Sequence, residues 1–118
     1  MSTETINCLS QLLWEEAEGI RRALGHIRLH EEDGDGLLTA AISGVEDALQ
    51  LLMELCFIVE PLVVGGILSI TWRVMHRAEW AITQLAFEHE HYRSLVPTVT
   101  TFKEHVLQAF YEAEKGEL

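Results

Sequence analysis

Apolar residues recur at steps of three and four along most of this chain, and that spacing is the strongest constraint on its fold. In the first segment the pattern runs through Ile6, Leu9, Leu13, Ala17, Ile20, Leu24 and Ile27. Steps of three and four place side chains on one side of an α-helix. Sustained apolar–polar alternation and Asn-Gly hairpin turns, which mark strands, are both missing from the sequence. The predicted fold class is therefore all-α.

The periodic segments predict one helical domain, residues 1–118, built as a small bundle of about four helices. The predicted helices cover about 5–30, 38–60 and 67–95, followed by a short fourth helix from 101 to a C-cap at Gly116. The core side of the third helix is predicted to consist of Ile67, Thr71, Val74, Ala78, Ile82 and Leu85.

Prolines and glycines supply the predicted helix boundaries. Pro61 and the pair Gly65-Gly66 are expected to form a turn after the second helix, and Pro97 is expected to end the third. Ser43 and Thr101 each stand three residues before a glutamate, the spacing of a capping box. Thr101 is thus expected to open the fourth helix, and a restart of the second helix at Ser43 stays open.

The charge balance limits the classes of partner. The 118 residues carry 19 acidic and 8 basic side chains, a net charge of −11, so we expect no direct binding to nucleic acid. We expect no secretory leader, because the first residues form neither a basic nor an apolar leader segment, and Cys8 and Cys56 lie in apolar helical patterns. We expect a cytoplasmic protein with both thiols buried and reduced, and no membrane-spanning segment.

The second predicted helix is apolar almost all round. From Ala48 to Val59 only Gln50 and Glu54 are polar. A helix without a wide polar side must be covered on several sides. We therefore predict a homodimer with this helix at the subunit interface, and the alternative is a central helix wrapped by its own chain.

The third predicted helix carries an aromatic stripe on the side away from its core residues. Aromatic residues and arginine are enriched in protein-binding hot spots, because large rigid surfaces and a planar cation are desolvated there. The predicted partner-binding surface consists of Trp72, Arg73, His76, Arg77, Trp80 and Phe87, with His91 on its flank. The alternative is that the first helix, with Trp14, packs over this side.

Histidines raise the question of metal binding. The candidate ligands, which antiparallel packing would bring to one pole of the bundle, are His26, His30, Glu88 and His91. A second Glu-x-x-His motif, which a di-iron bundle needs, is absent. The acidic loop at 31–36 resembles part of an EF-hand but has Ile42 where the final glutamate belongs. We expect no cofactor, and a regulatory zinc site at this pole is the alternative.

Two segments carry a resemblance to known proteins. Gly44-Val45-Glu46-Asp47-Ala48-Leu49 and Trp72-Arg73-Val74-Met75-His76-Arg77 resemble small pseudomonad helical regulators of the quorum-sensing anti-activator type. The resemblance implies a dimer that binds the ligand-binding domain of a LuxR-type transcription factor. Such binding blocks dimerisation or DNA binding of the activator.

The sequence as a whole predicts a non-enzymatic regulator that sequesters a partner protein. It contains no nucleophile elbow and no phosphate-binding glycine loop, so we expect no catalytic residues. A metal- or pH-responsive helical bundle and an inhibitor of the immunity or antitoxin type are the alternatives.

Overall fold

The computed structural model describes residues 3–28, 36–57 and 60–116. Within these ranges four α-helices follow one another: α1 (Thr3–Arg28), α2 (Leu37–Glu54), α3 (Pro61–Glu88) and α4 (Leu95–Lys115). Short 3₁₀ turns, Leu55–Phe57 and Glu90–Tyr92, follow α2 and precede α4. The described residues contain no strand, which confirms the predicted all-α bundle.

The helices pack side by side as an antiparallel bundle of 44 × 20 × 18 Å. α2 contacts α1 and α3, and α4 contacts α3 and α1, so that α1 and α3 lie on a diagonal. Near the start of α1, the Ser10 hydroxyl donates to the Leu52 carbonyl near the end of α2 at 2.6 Å. The Thr100 hydroxyl, early in α4, donates to the Glu79 carboxylate late in α3 at 2.7 Å. Such pairings require neighbouring helices to run in opposite directions.

The predicted apolar stripes form the core. Leu13, Ala17, Ile20 and Leu24 of α1 are buried, whereas the Ile6 side chain lies outside the described set. The predicted core side of α3 is likewise buried, except that Val74 is half-buried. Thr71, its polar member, donates its hydroxyl to the Ile67 carbonyl at 2.8 Å, so its burial leaves no unsatisfied donor.

Most of the apolar surface of α2 is covered by its own chain. Its buried members near the C-terminus are Ala48, Leu49 and Leu52, and Leu55 of the following 3₁₀ turn is buried as well. Met53 of α2 and Phe57 of the 3₁₀ turn stay exposed. The alternative of a central helix wrapped by its own chain does not hold, because α2 packs on α1 and α3 and keeps an outward side, and the homodimer stays a prediction that depends on the exposed apolar residues.

The expected turn at 61–66 is wrong. Pro61 begins α3. Backbone N–H groups in the first turn of a helix have no acceptor within the helix, so proline, which lacks an N–H, loses no hydrogen bond there, and its fixed φ is close to the helical value. Gly65 and Gly66 lie inside α3, where two helical glycines cost conformational entropy without breaking the helix. α3 is therefore longer at its start than the pattern predicts. In the described ranges no helix is both long and apolar enough to cross a membrane.

The expected break at Pro97 is also wrong. α3 ends at Glu88, where His89 turns to extended backbone, and the 3₁₀ turn that follows is anchored by buried Tyr92. α4 already begins at Leu95, so Pro97 occupies its first turn, where a missing N–H costs little. The fourth helix is consequently a full partner in the bundle rather than a short addition.

Three smaller predictions have mixed outcomes. Ser43 and Thr101 lie inside helices, so neither acts as a cap. Gly116 is confirmed as the C-cap of α4, with φ of 74° in the left-handed region that glycine tolerates. Cys8 is exposed rather than buried, and the Cys56 side chain lies outside the described set.

Close approach of α2 and α3 depends on a glycine. A Cβ built at Gly44 would meet the Ala78 Cβ at 3.0 Å and the Val74 carbonyl oxygen at 3.1 Å. Both distances are shorter than ordinary van der Waals contact, and one of the neighbours is rigid backbone. Gly44 therefore sets how closely these two helices pack.

We expect Gly44→Ala to lower the free energy of unfolding by about 1–2 kcal/mol through overpacking, although alanine is the better helix former. Gly19→Ala is the matched control, since a Cβ there meets nothing within 4 Å. It should raise the free energy of unfolding by up to about 1 kcal/mol. Urea denaturation followed by circular dichroism measures both, and equal stability of the two variants would contradict the close packing.

Candidate partner-binding surface

One side of α3 is exposed along the whole helix and is rich in apolar side chains. Residues at steps of three and four make up this side, here called the α3 face: Leu62, Gly66, Ile70, Arg73, Arg77, Trp80, Gln84 and Phe87. Leu62, Trp80 and Phe87 are 84%, 59% and 75% exposed. Single exposed apolar residues are ordinary, but several on one helix side mark a surface for interaction.

The bundle arrangement explains why this side has no cover. α3 packs its core residues on α2 and α4, and α1 lies on the far diagonal. In the part of the chain that the structure describes, no further helix is left to cover the opposite side of α3. Trp80 and Phe87 therefore lie where no helix among the described residues covers them.

Two arginines add positive charge to the α3 face. Arg73 and Arg77 are exposed and one helical turn apart. Among the described residues neither guanidinium forms an ion pair. In a chain of net charge −11 they make the middle of this face locally basic and open to carboxylates.

Of the other two predicted surface residues, Trp72 packs against α4, whereas His76 stays exposed although it contacts Trp72 and Lys103. The Trp72 and His76 rings stack with centroids 5.0 Å apart. The Lys103 ammonium of α4 lies 4.6 Å from the Trp72 ring centroid and donates to His76 Nδ1 at 2.7 Å. Trp72 is half-buried as a result. Cation–π contact and hydrogen bonding therefore join α3 to α4 at this point.

Glu79 completes this cluster, here called the Lys103 clamp (Trp72, His76, Glu79, Thr100 and Lys103). Lys103 Nζ donates to Glu79 Oε1 at 2.9 Å, and the Thr100 hydroxyl donates to the other carboxylate oxygen. Burial raises the pKa of Glu79, but these hydrogen bonds and the Lys103 charge outweigh it and hold the pKa below its usual range. The clamp is a largely buried ion pair between helices, with side chains 10% and 19% exposed.

The predicted binding set is thus divided between two environments. Arg73, Arg77, Trp80 and Phe87 lie on the α3 face, whereas Trp72 and His76 belong to the Lys103 clamp. The alternative that α1 covers the aromatic stripe does not hold, since α4 covers the Trp72 end.

The predicted metal pole lies only partly within the described residues. His30 and the acidic residues 31–35 fall outside them. Across 3–28, 36–57 and 60–116, no group of three or more His, Cys, Asp or Glu side chains could hold a metal ion. His91, the predicted flank residue, packs its ring against Tyr92 with centroids 4.9 Å apart. No contact among the described residues therefore supports joint ligation by His26, Glu88 and His91.

Sequence reasoning missed two parts of this region. Leu62 was not assigned to the surface because Pro61 was expected to lie in a turn, and Ile70 was not assigned although it lies in the predicted third helix. Continuing the steps of three and four backward from Arg73 finds Ile70, Gly66 and Leu62. Lys103 was missed because its position opposite Trp72 depends on how α4 is rotated against α3, which one helix pattern does not encode.

Comparison with known proteins finds no relative of this chain. No family model, no curated protein and no solved structure matches the chain. The function is therefore argued from the exposed side chains, their charges and their neighbours.

Acidification tests the Lys103 clamp. Because the pKa of Glu79 is lowered from 4.5, its stabilising contribution is complete above that pH and is lost as the pH falls through the folded-state pKa. Glu79→Gln should lower the free energy of unfolding near neutral pH, and its difference from wild type should shrink below pH 4.5. Urea denaturation across this pH range measures the difference. The exposed Glu104→Gln is the control, and a Glu79→Gln difference that stays constant with pH would contradict the assignment.

Proposed function

We propose that this chain is a non-enzymatic interaction protein that binds and sequesters a partner protein. The α3 face supports this most directly, since Trp80 and Phe87 are exposed beside two arginines without ion pairs in the described ranges. Covering an apolar helix side of this kind with another surface lowers the free energy, because apolar area is removed from water. Sequestration needs only such a surface and a favourable stoichiometry.

The chemistry of the α3 face specifies the partner surface. Trp80 and Phe87 are large rigid anchors that fit apolar pockets, and they lie two helical turns apart on one side of α3. The planar guanidinium groups of Arg73 and Arg77 can each donate two parallel hydrogen bonds to a carboxylate, so we expect carboxylates beside those pockets. The proposed partner surface is therefore apolar with an acidic border.

The sequence resemblance narrows the proposal to a regulator. By that resemblance the partner is a LuxR-type quorum-sensing transcription factor, held through its ligand-binding domain so that it neither dimerises nor binds DNA. Inhibition of a toxin or another enzyme would use the same surface chemistry. Identification of the bound protein separates these classes.

A second copy of the chain is the proposed occupant of an adjoining surface, here called the apolar end: Met53, Phe57, Leu62 and Val63, of which Leu62 also belongs to the α3 face. Phe57 is 87% exposed, and all four side chains are exposed near the junction of α2 and α3. The exposed Glu54 and Glu60 flank them in the sequence, so the proposed contact between copies depends on the four apolar side chains. An isologous contact here supports the predicted homodimer.

Trp80→Ala and Arg77→Glu test the α3 face. Each should weaken binding to the partner by about tenfold or more, because Trp80→Ala removes an aromatic anchor and Arg77→Glu reverses a charge that faces the partner. The partner is recovered by affinity capture from native cells and identified by mass spectrometry. Its purified domain, or that of a LuxR-type activator, is then titrated by calorimetry.

Tyr111→Ala is the matched control for these variants, since Tyr111 is an exposed aromatic residue on α4. It should bind as the wild type does. Light scattering must first show that all three variants keep the wild-type mass. Unchanged affinity of both α3-face variants for a verified partner would refute the assigned surface.

Phe57→Glu tests the apolar end separately. A charge at the proposed contact between copies should shift the protein to the monomer, because burying an unpaired carboxylate costs several kcal/mol. Size-exclusion chromatography with light scattering measures the mass over a concentration series. A wild type that is monomeric at every concentration, or a Phe57→Glu variant that stays dimeric, contradicts this contact.

A further inference from the structure

An apolar groove lies between the first half of α1 and the second half of α4. It encloses about 610 Å³ and is lined by Leu9, Leu12, Leu13, Glu15, Glu16, His105, Gln108, Ala109 and Glu112. Leu12 borders it and is 58% exposed, although leucine gains from burial. Neither the α3 face nor the apolar end includes any of these residues.

Both walls of the groove follow the same helical spacing. On α1 the spaced residues are Leu9, Leu12, Leu13 and Glu16, with Glu15 beside them, and on α4 they are His105, Gln108, Ala109 and Glu112. Each set is i, i+3, i+4 and i+7, so the groove runs parallel to the helix axes for roughly 10 Å, or two helical turns. His105 Nδ1 lies 2.8 Å from Glu16 Oε1 and joins the walls at one end. A groove of this length and direction matches two turns of another helix.

The border of the groove is acidic on both sides. Glu15 accepts a hydrogen bond from Gln11 at 3.4 Å, and Glu112 accepts one from Gln108 at 3.1 Å. Both donors are neutral amides, so the negative charges stay uncompensated by any ion pair in the described ranges. The floor, by contrast, is formed by the buried Leu13 and Ala109. An occupant must therefore combine apolar side chains with positive charges beside them.

We infer that this groove is a docking site for an amphipathic helix of another protein, whose apolar ridge is bordered by lysine or arginine. Apolar residues at i, i+3 or i+4 and i+7 of that helix would cover Leu12 and the floor, as in other helix-in-groove complexes. Its flanking cations would meet Glu15 on one wall and Glu112 on the other. A second copy of this chain fits poorly, because residues 1–60, which include α1 and α2, carry 12 acidic and only 3 basic side chains.

The test uses a labelled model peptide of about 18 residues, with leucine at i, i+3 or i+4 and i+7 and lysine elsewhere. Binding is followed by fluorescence anisotropy at about 150 mM salt, where exposed charges are screened beyond roughly 8 Å. The wild type should bind this peptide. Leu12→Gln and Glu15→Lys should each weaken binding about fivefold or more.

Matched changes outside the groove serve as controls. Tyr111→Gln on α4 and Glu54→Lys on α2 repeat the two kinds of substitution at exposed positions, and both should bind as the wild type does. Trp80→Ala should also bind normally, which separates this site from the α3 face. A peptide of the same composition with its leucines scattered around the helix should bind at least about fivefold more weakly.

Three results would overturn the inference. The first is wild-type protein that does not bind the ridged peptide. The second is equal binding of the scattered peptide, which would reduce the effect to charge attraction. The third is a Leu12→Gln variant that binds no more weakly than Tyr111→Gln, which would place the peptide elsewhere on the bundle.

Discussion

Packing four helices around a common axis decides which side of each helix is left outward. Every helix here contacts two neighbours, so each has a buried side and an outward side. A bundle of this kind needs no partner to cover it when the outward sides of its helices are polar. α3 departs from this rule, because Ile70, Trp80 and Phe87 point away from a core that is already complete. The fold therefore leaves apolar surface that association alone can bury.

The Lys103 clamp determines how α3 is rotated within this frame. Apolar packing tolerates small rotations of a helix, whereas directional contacts do not. Lys103 places one ammonium against the Trp72 ring, His76 and Glu79 at once, and so fixes one side of α3 to α4. The α3 face is outward because the core residues of α3 pack on α2 and α4, and the clamp holds α3 in that same rotation. The stability of the bundle and the exposure of the α3 face thus depend on the same rotation of α3.

Periodicity predicted the helices and their core sides correctly, because a repeat near 3.6 residues reflects burial directly. Boundaries were predicted poorly at Pro61 and Pro97, since a proline ends a helix or begins one according to the turn it occupies. Half of the exposed α3 face, including Trp80, followed from the angle around one helix. Trp72 was misplaced because its neighbour Lys103 comes from another helix, and contacts between helices depend on rotations that no single segment encodes.

The length of α3 has a consequence for how copies and partners combine. Leu62 and Phe87 lie near opposite ends of one uninterrupted helix, roughly 37 Å apart along its axis. Two copies joined through Leu62 would hold their Phe87 ends apart as a rigid bivalent unit. A partner that is itself dimeric would then meet the second site as an intramolecular event, at an effective concentration in the millimolar range. Modest affinity at each site would be enough to hold such a target through both contacts.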